Sequence, residues 1–166
     1  MTQTAVSRRA FRDAMARLPA AVNILTTDGP YGRCGITVSA VCSVTDTPPT
    51  VLVCVNRSSS SHPVFVGNGR VCLNVLTGRG AQLAVHFSGA TKTPMDDRFA
   101  WDIWDRTAEQ PVLREAQVAA VGTICDRKEI GSHTVLFVQI EHMTTRAEVD
   151  SLVYVNRQFH RILGHS

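Results

Sequence analysis

Arg57 followed by Ser58, Ser59, Ser60 and Ser61 brings a fixed positive charge, four hydroxyls and a run of small residues to one point of the chain. Hydroxyl donors, accessible backbone N–H groups and a guanidinium are what it takes to hold a phosphate. Asn56 just before them adds an amide that can donate or accept. Residue type alone leaves a second use open: the serines could simply cap the short segment that starts near Pro63. His133 sits after Gly131-Ser132, and Tyr154, Arg157 and His160 cluster near the end of the chain. An arginine beside aromatic rings can bind a pyrophosphate and stack on a base. A turn histidine on the surface and a basic, frayed tail would also produce these residues.

These groups must be positioned by strands. Ile36, Val38, Ala40 and Cys42 alternate with Thr37, Ser39, Val41 and Ser43, the period of a strand with one apolar and one mixed face. Thr37 and Ser39 on the mixed face could meet a ligand or solvent equally well. Asp46-Thr47-Pro48-Pro49 reverses the chain. Val51 to Val55 is apolar throughout, which predicts a strand covered on both faces and placed centrally. It delivers Asn56 and the serine run.

Around this stretch, Ser7 caps a predicted helix in which Phe11, Ala14, Met15 and Leu18 recur, closed by Pro19. Val22 to Thr27 and Val71 to Leu76 read as strands, and Gln82 to Phe87 as a helix. A polar loop is expected from Ala90 to Gln110, with Trp101 and Trp104 packed at an edge or a subunit contact. Two long strands, Ala116 to about Glu129 and His133 to about Met143, flank a tight turn through Gly131, and Leu152 to Val155 is the last strand. Short strands with tight turns and no β-α-β alternation predict a mainly β, antiparallel barrel with a few short helices, in one domain spanning 1–166. There is neither a G-x-G-x-x-G after a strand nor a G-x-x-x-x-G-K-[ST], which excludes Rossmann and P-loop nucleotide sites.

A hydrophobic fraction of 44% is that of an ordinary globular chain, and no apolar run reaches the roughly 20 residues a membrane helix needs. Met1 to Arg12 has no apolar core of a secretory signal, so a cytoplasmic location is expected. The net charge of +3 rests on scattered arginines with only two lysines, Lys92 and Lys128, whereas nucleic-acid partners call for a basic stripe. Five cysteines without a C-x-x-C pair predict reduced, buried thiols and no metal.

Taken in order, Phe11-Arg12-Asp13-Ala14-Met15, Ala20-Ala21-Val22-Asn23-Ile24, Cys34-Gly35-Ile36-Thr37, Ala40 to Pro49, Pro63-Val64-Phe65, Arg98-Phe99, Gly131-Ser132-His133, and Tyr154 with Arg157, Phe159 and His160 form a co-linear series. In this series the chain resembles the short-chain NAD(P)H:flavin oxidoreductases, the reductase components of two-component flavin monooxygenases. Within that family it is most similar to the branch serving 4-hydroxyphenylacetate 3-monooxygenases. The resemblance implies an FMN-binding split barrel of Greek-key topology, a homodimer, and hydride transfer from NADH or NADPH to FAD or FMN, with reduced flavin passed to a separate monooxygenase. It implies that Thr37, Ser39 and Ala40 edge the isoalloxazine and that Asn56, Arg57, Ser59 and Ser60 grip the phosphate. Phe87 and Arg98 become further cofactor contacts, though Phe87 could equally be a core residue of its helix. His133, Tyr154 and Arg157 fall on the nicotinamide side. Many relatives carry aspartate before the histidine where this chain has Ser132, so the bond orienting the ring is expected to come from elsewhere. No acid–base triad is expected, because hydride transfer depends mainly on placement of the two cofactors. The same barrel also suits a flavin carrier, a redox sensor or a pyridoxine phosphate oxidase.

Overall fold

The computed structural model describes residues 5–164; His165 lies outside them. In chain order the elements are α1 (Arg8–Met15), β1 (Ala20–Ala21), β2 (Asn23–Thr27), β3 (Cys34–Val38), β4 (Val41–Asp46), β5 (Pro49–Asn56) and α2 (His62–Asn68). Next come β6 (Arg70–Val75), α3 (Ala81–Phe87), α4 (Met95–Ala100), β7 (Trp104–Asp105) and β8 (Val112–Leu113). The chain finishes with β9 (Val118–Ile130), β10 (His133–Thr145), β11 (Asp150–Val155) and β12 (Gln158–Leu163).

Seven strands form one sheet in the order β3-β2-β6-β9-β10-β5-β4, and every pairing in it is antiparallel. The two ends of this sheet are consecutive in sequence, so the Ser39–Ala40 link draws them together and the Ala40 carbonyl accepts from Cys54 N at 3.0 Å. From β5 the chain crosses through α2 to β6, past β9 and β10, a Greek-key crossover. The mainly β antiparallel barrel with short helices is therefore as expected. A second sheet, β1-β11-β12, joins it where Leu152 exchanges backbone hydrogen bonds with Val22 and Leu76, next to β2 and β6.

Alternation along the strands explains two cores. Ile24, Cys72 and Ala119 point into a cluster with Phe87, Phe99 and Trp104 beneath α3 and α4. Their neighbours Leu25, Leu73 and Ala120 point into the barrel with Val53, Val55, Phe65 and Leu136. This is why β2 is buried along its whole length. Asn74 secures the seam: its Nδ2 donates to Ile24 O at 3.2 Å and its Oδ1 accepts from Leu113 N at 2.8 Å, which satisfies the buried amide.

Five expectations change. Residues 36–43 are not one strand but two, broken at Ser39–Ala40, and β4 beyond the break is an exposed edge. β5 buries Val53 and Val55 in the barrel, whereas Leu52 and Cys54 on its other face are only half-buried, and the strand lies second from the edge; the expectation was a central strand covered on both faces. The segment from Ala90 to Gln110 contains α4 and β7, and Trp104 is buried in the core, its Nε1 donating to Arg98 O at 2.9 Å. The tail after Leu152 is a hairpin, with β12 paired to β11 along its length. Of the cysteines, Cys34 and Cys72 are buried, and burial pushes their thiols up to about 11 and about 12. Cys42 and Cys125 are exposed, against expectation, because they lie on the open β4 edge and at a bulge of β9. Among the described residues, no group of His, Cys, Asp and Glu could hold a metal, and no helix is long and apolar enough to cross a membrane.

Candidate functional site

The break at Ser39–Ala40 creates the first half of the site. Neither residue belongs to a strand ladder, and neither N–H has a backbone acceptor among the described residues. Both amides remain available to a ligand. Thr37, one turn of the pleat earlier, donates its hydroxyl to Ala84 O at 2.6 Å, which fixes α3 over the end of β3. Gly35 lets them approach this closely, since a Cβ there would lie 2.8 Å from the Phe87 ring. The result is a cleft of about 360 Å³ lined by Thr37, Ser39, Val85, Ser88, Tyr154 and Arg157. That volume lies in the range of small-molecule sites.

Tyr154 and Arg157 come from the β11–β12 hairpin, whose tip is Asn156–Arg157. Both tip residues have positive φ, 49° and 61°, the geometry of a two-residue turn that matches the twist of its strands. Tyr154 packs on Phe159 with ring centroids 5.1 Å apart. The structure thus unites in one cleft Thr37 and Ser39, assigned to the isoalloxazine, with Tyr154 and Arg157, assigned to the nicotinamide, while Ala40 follows Ser39 outside the lining.

A second group assembles at the end of β5. His133 is the register partner of Asn56 across β10 and β5. Arg57 N donates to Ser132 O at 2.9 Å, and the Arg57 guanidinium meets Glu129 at 3.1 Å and Gly131 O at 3.4 Å. The serine loop is locally ordered: Asn56 Oδ1 accepts from both Ser58 N and Ser58 Oγ at 2.9 Å, and Ser59 Oγ accepts from Ser61 N at 3.3 Å. Ser61 precedes α2 without a capping side-chain bond, so capping is not the use of that serine. Ser60 stays exposed. Asn56, Arg57, Ser59, Ser60 and His133 are therefore neighbours, and the Ala40–Cys54 bond links this group to the cleft two residues before Asn56.

Ser132 Oγ lies 2.9 Å from His133 Nδ1. The orienting bond expected from elsewhere is supplied by the serine itself, and Nε2 has no hydrogen-bond partner among the described residues.

Phe87 and Arg98 are placed differently from the expectation that they touch a cofactor. Phe87 is 2% exposed, stacked edge-on against Phe99 and Trp104 on the side of α3 away from the cleft. Arg98 is also buried; its Nε and Nη2 donate to Thr93 O at 2.8 and 2.6 Å, and its guanidinium lies 5.5 Å from the Phe87 ring centroid. Burial lowers its pKa from the ordinary arginine value. Both build the wall behind the cleft. Sequence reasoning missed Val85, Ser88 and Ala90 as lining residues; the Ser88-Gly89 helix stop after Phe87 was the available signal. A larger cleft, about 770 Å³, lies on the other side of α3 and contains none of the candidate residues.

A flavin reductase like domain matches residues 15–163 of the chain. The reductase component of 4-hydroxyphenylacetate 3-monooxygenase from Pseudomonas aeruginosa is 48% identical over 163 residues, 98% of this chain and 96% of that protein. The FMN reductase (NADH) RutF of Stutzerimonas stutzeri is 47% identical over 156 residues, 93% of this chain and 88% of that protein. A solved structure from Haemophilus somnus, provisionally described as a flavin reductase, superposes with a TM-score of 0.87 at 37% identity, covering 95% of this chain and all of that one.

Proposed function

The chain belongs to the flavin reductase like family, and from that premise we propose that it is an NAD(P)H:flavin oxidoreductase supplying reduced FAD or FMN to a separate monooxygenase. The observation carrying this reading is similarity at nearly half identity along almost the full length of both chains, so every element that builds the cleft is within the match. In the reaction, NAD(P)H and a proton convert oxidised flavin to reduced flavin and NAD(P)⁺; the two cofactors supply the hydride donor and acceptor.

The residues of this chain bind and orient. The free amides of Ser39 and Ala40 and the Thr37 side of β3 edge the ring system, and no charged side chain of β3 intrudes there. Arg57, steadied by Glu129, meets the phosphate together with Asn56, Ser59 and Ser60. Arg57 retains donors beyond those it spends on Glu129 and Gly131. Tyr154 and Arg157 bound the opposite side, where the nicotinamide must enter, and His133, held by Ser132, addresses the dinucleotide. Geometry of this kind accelerates hydride transfer by fixing two reactants in register rather than by proton transfer from a side chain.

His133→Ala is expected to raise the NADH Michaelis constant about tenfold, as loss of a polar contact of roughly 1.4 kcal/mol would, and to leave the flavin dissociation constant within about twofold. Ser132→Ala should move the same constant in the same direction by less. Steady-state kinetics beside flavin fluorescence titration separate the two constants, and equal weakening of both by His133→Ala would remove His133 from the nicotinamide side.

A homodimer belongs to this reading. Phe11, Met15 and Leu18 around α1, and Phe159, Ile162 and Leu163 on β12, are exposed apolar side chains on the outer sheet and its helix, more than a monomer ordinarily leaves to water in one region. Light scattering after gel filtration should give twice the monomer mass, and a concentration-independent monomer would contradict it. A cytoplasmic setting is consistent with a reductase drawing on NAD(P)H and with buried thiols kept reduced.

A further inference from the structure

We propose that α1 is a clasp on the cleft and that Asp13 is a positioning residue, holding Arg157 where its guanidinium can receive the pyrophosphate of a dinucleotide. The inference rests on the flavin reductase reading and adds to it a part of the chain outside the cleft.

Helix α1 buries none of its residues. It joins the rest of the chain at the tip of the β11–β12 hairpin: Arg157 Nη2 donates to Asp13 Oδ1 at 2.6 Å, and Asn156 N donates to Ala16 O at the helix end. Arg9 also approaches Asp13, at 3.8 Å, but is almost fully exposed and adds little.

Arg157 occupies a position that turn geometry gives to glycine. At φ 61° a residue with a Cβ is disfavoured, and two-residue hairpins of this kind prefer Asn-Gly. An arginine held there against its backbone preference calls for a use beyond the turn. Arg157 lines the cleft with Thr37, Ser39 and Tyr154. Only Nη2 is taken by Asp13, and among the described residues Nε and Nη1 have no protein partner. Asp13 takes one N–H of Nη2, and the second N–H of Nη2, paired with the neighbouring Nε–H or Nη1–H, remains a fork suited to bidentate capture of a phosphate.

An ion pair about half exposed on both sides, 57% and 50%, contributes little to folding. The signature of the clasp is therefore in binding and not in the melting temperature.

The test compares wild type with Asp13→Asn, Asp13→Glu, Arg157→Gly and the charge-swapped double variant Asp13→Arg/Arg157→Asp. NADH dissociation constants come from nicotinamide fluorescence, and KM, kcat and thermal midpoint are measured alongside. Asp13→Asn should weaken NADH about two- to fivefold with kcat, flavin affinity and midpoint held, and Asp13→Glu should restore most of it. Arg157→Gly should keep or raise the midpoint, since glycine suits the turn, while weakening NADH about tenfold or more. The swapped pair should not recover, because it keeps the tie but turns a carboxylate toward the cleft. Recovery in the swap, or unchanged NADH affinity in Asp13→Asn, overturns the clasp. Wild type that neither binds nor oxidises NADH overturns the reductase reading itself, a distinct outcome.

Discussion

Arg57→Ala is expected to weaken FMN binding roughly 10- to 100-fold, the loss of a charged hydrogen bond worth about 1.5–3 kcal/mol, while riboflavin binding changes less than about twofold. Riboflavin lacks the phosphate, so it reports any disturbance of the ring site alone. The comparison matters because Arg57 has a second attachment: it spans to Glu129 and Gly131 across the β9–β10 turn. That pair is exposed on both sides, 46% and 60%, and worth less than about 1 kcal/mol, too little to account for a tenfold change. Arg57→Lys should recover part of the FMN affinity, because a point charge cannot reproduce the fork. If FMN and riboflavin weaken together, Arg57 serves the turn and not the phosphate.

Phe87→Ala should destabilise the fold by about 3–5 kcal/mol, lowering the thermal midpoint by roughly 6–20 °C for a chain of this size. Phe87 stacks edge-on against Phe99, Trp101 and Trp104 at centroid distances of 5.7, 6.5 and 5.8 Å, and it lies directly over Gly35. Its removal leaves a cavity between α3 and the outer face of β2 and β3, where relaxation is limited because Thr37 binds α3 at Ala84. Phe87→Leu retains most of the volume and should keep flavin affinity within about twofold. A large loss of affinity in Phe87→Leu with an intact melting temperature would return Phe87 to the cofactor-contact role that the resemblance gave it.

The sequence carried the strand inventory well because turn chemistry marks it. The proline pair at 48–49, Gly69 after α2 and Gly131 between the long strands each end an element where expected. Lateral order was less legible. Val51 to Val55 is apolar on both faces, and that pattern reports what lies above and below a strand, not whether neighbours stand on both sides; β5 is second from the edge. The strand break at Ser39–Ala40 was hidden by uninterrupted alternation, although the break leaves two amides without a backbone acceptor among the described residues. The final hairpin was missed because its tip is Asn-Arg, whereas the strong two-residue signal is Asn-Gly. That same departure is what points to Arg157. For the site itself, residue type marked Arg57 and the serines as a phosphate candidate, but it could not separate Phe87 as wall from Phe87 as contact. Burial favours the wall, and burial is a property of the folded chain.

The account's central claim is tested most directly by absorbance at 340 nm under air, following NADH and then NADPH with catalytic protein and excess FAD, FMN or riboflavin. Sustained oxidation that requires both protein and flavin, and continues through many turnovers per protein molecule, is the predicted result. A protein that holds flavin through gel filtration yet oxidises neither nicotinamide would contradict it.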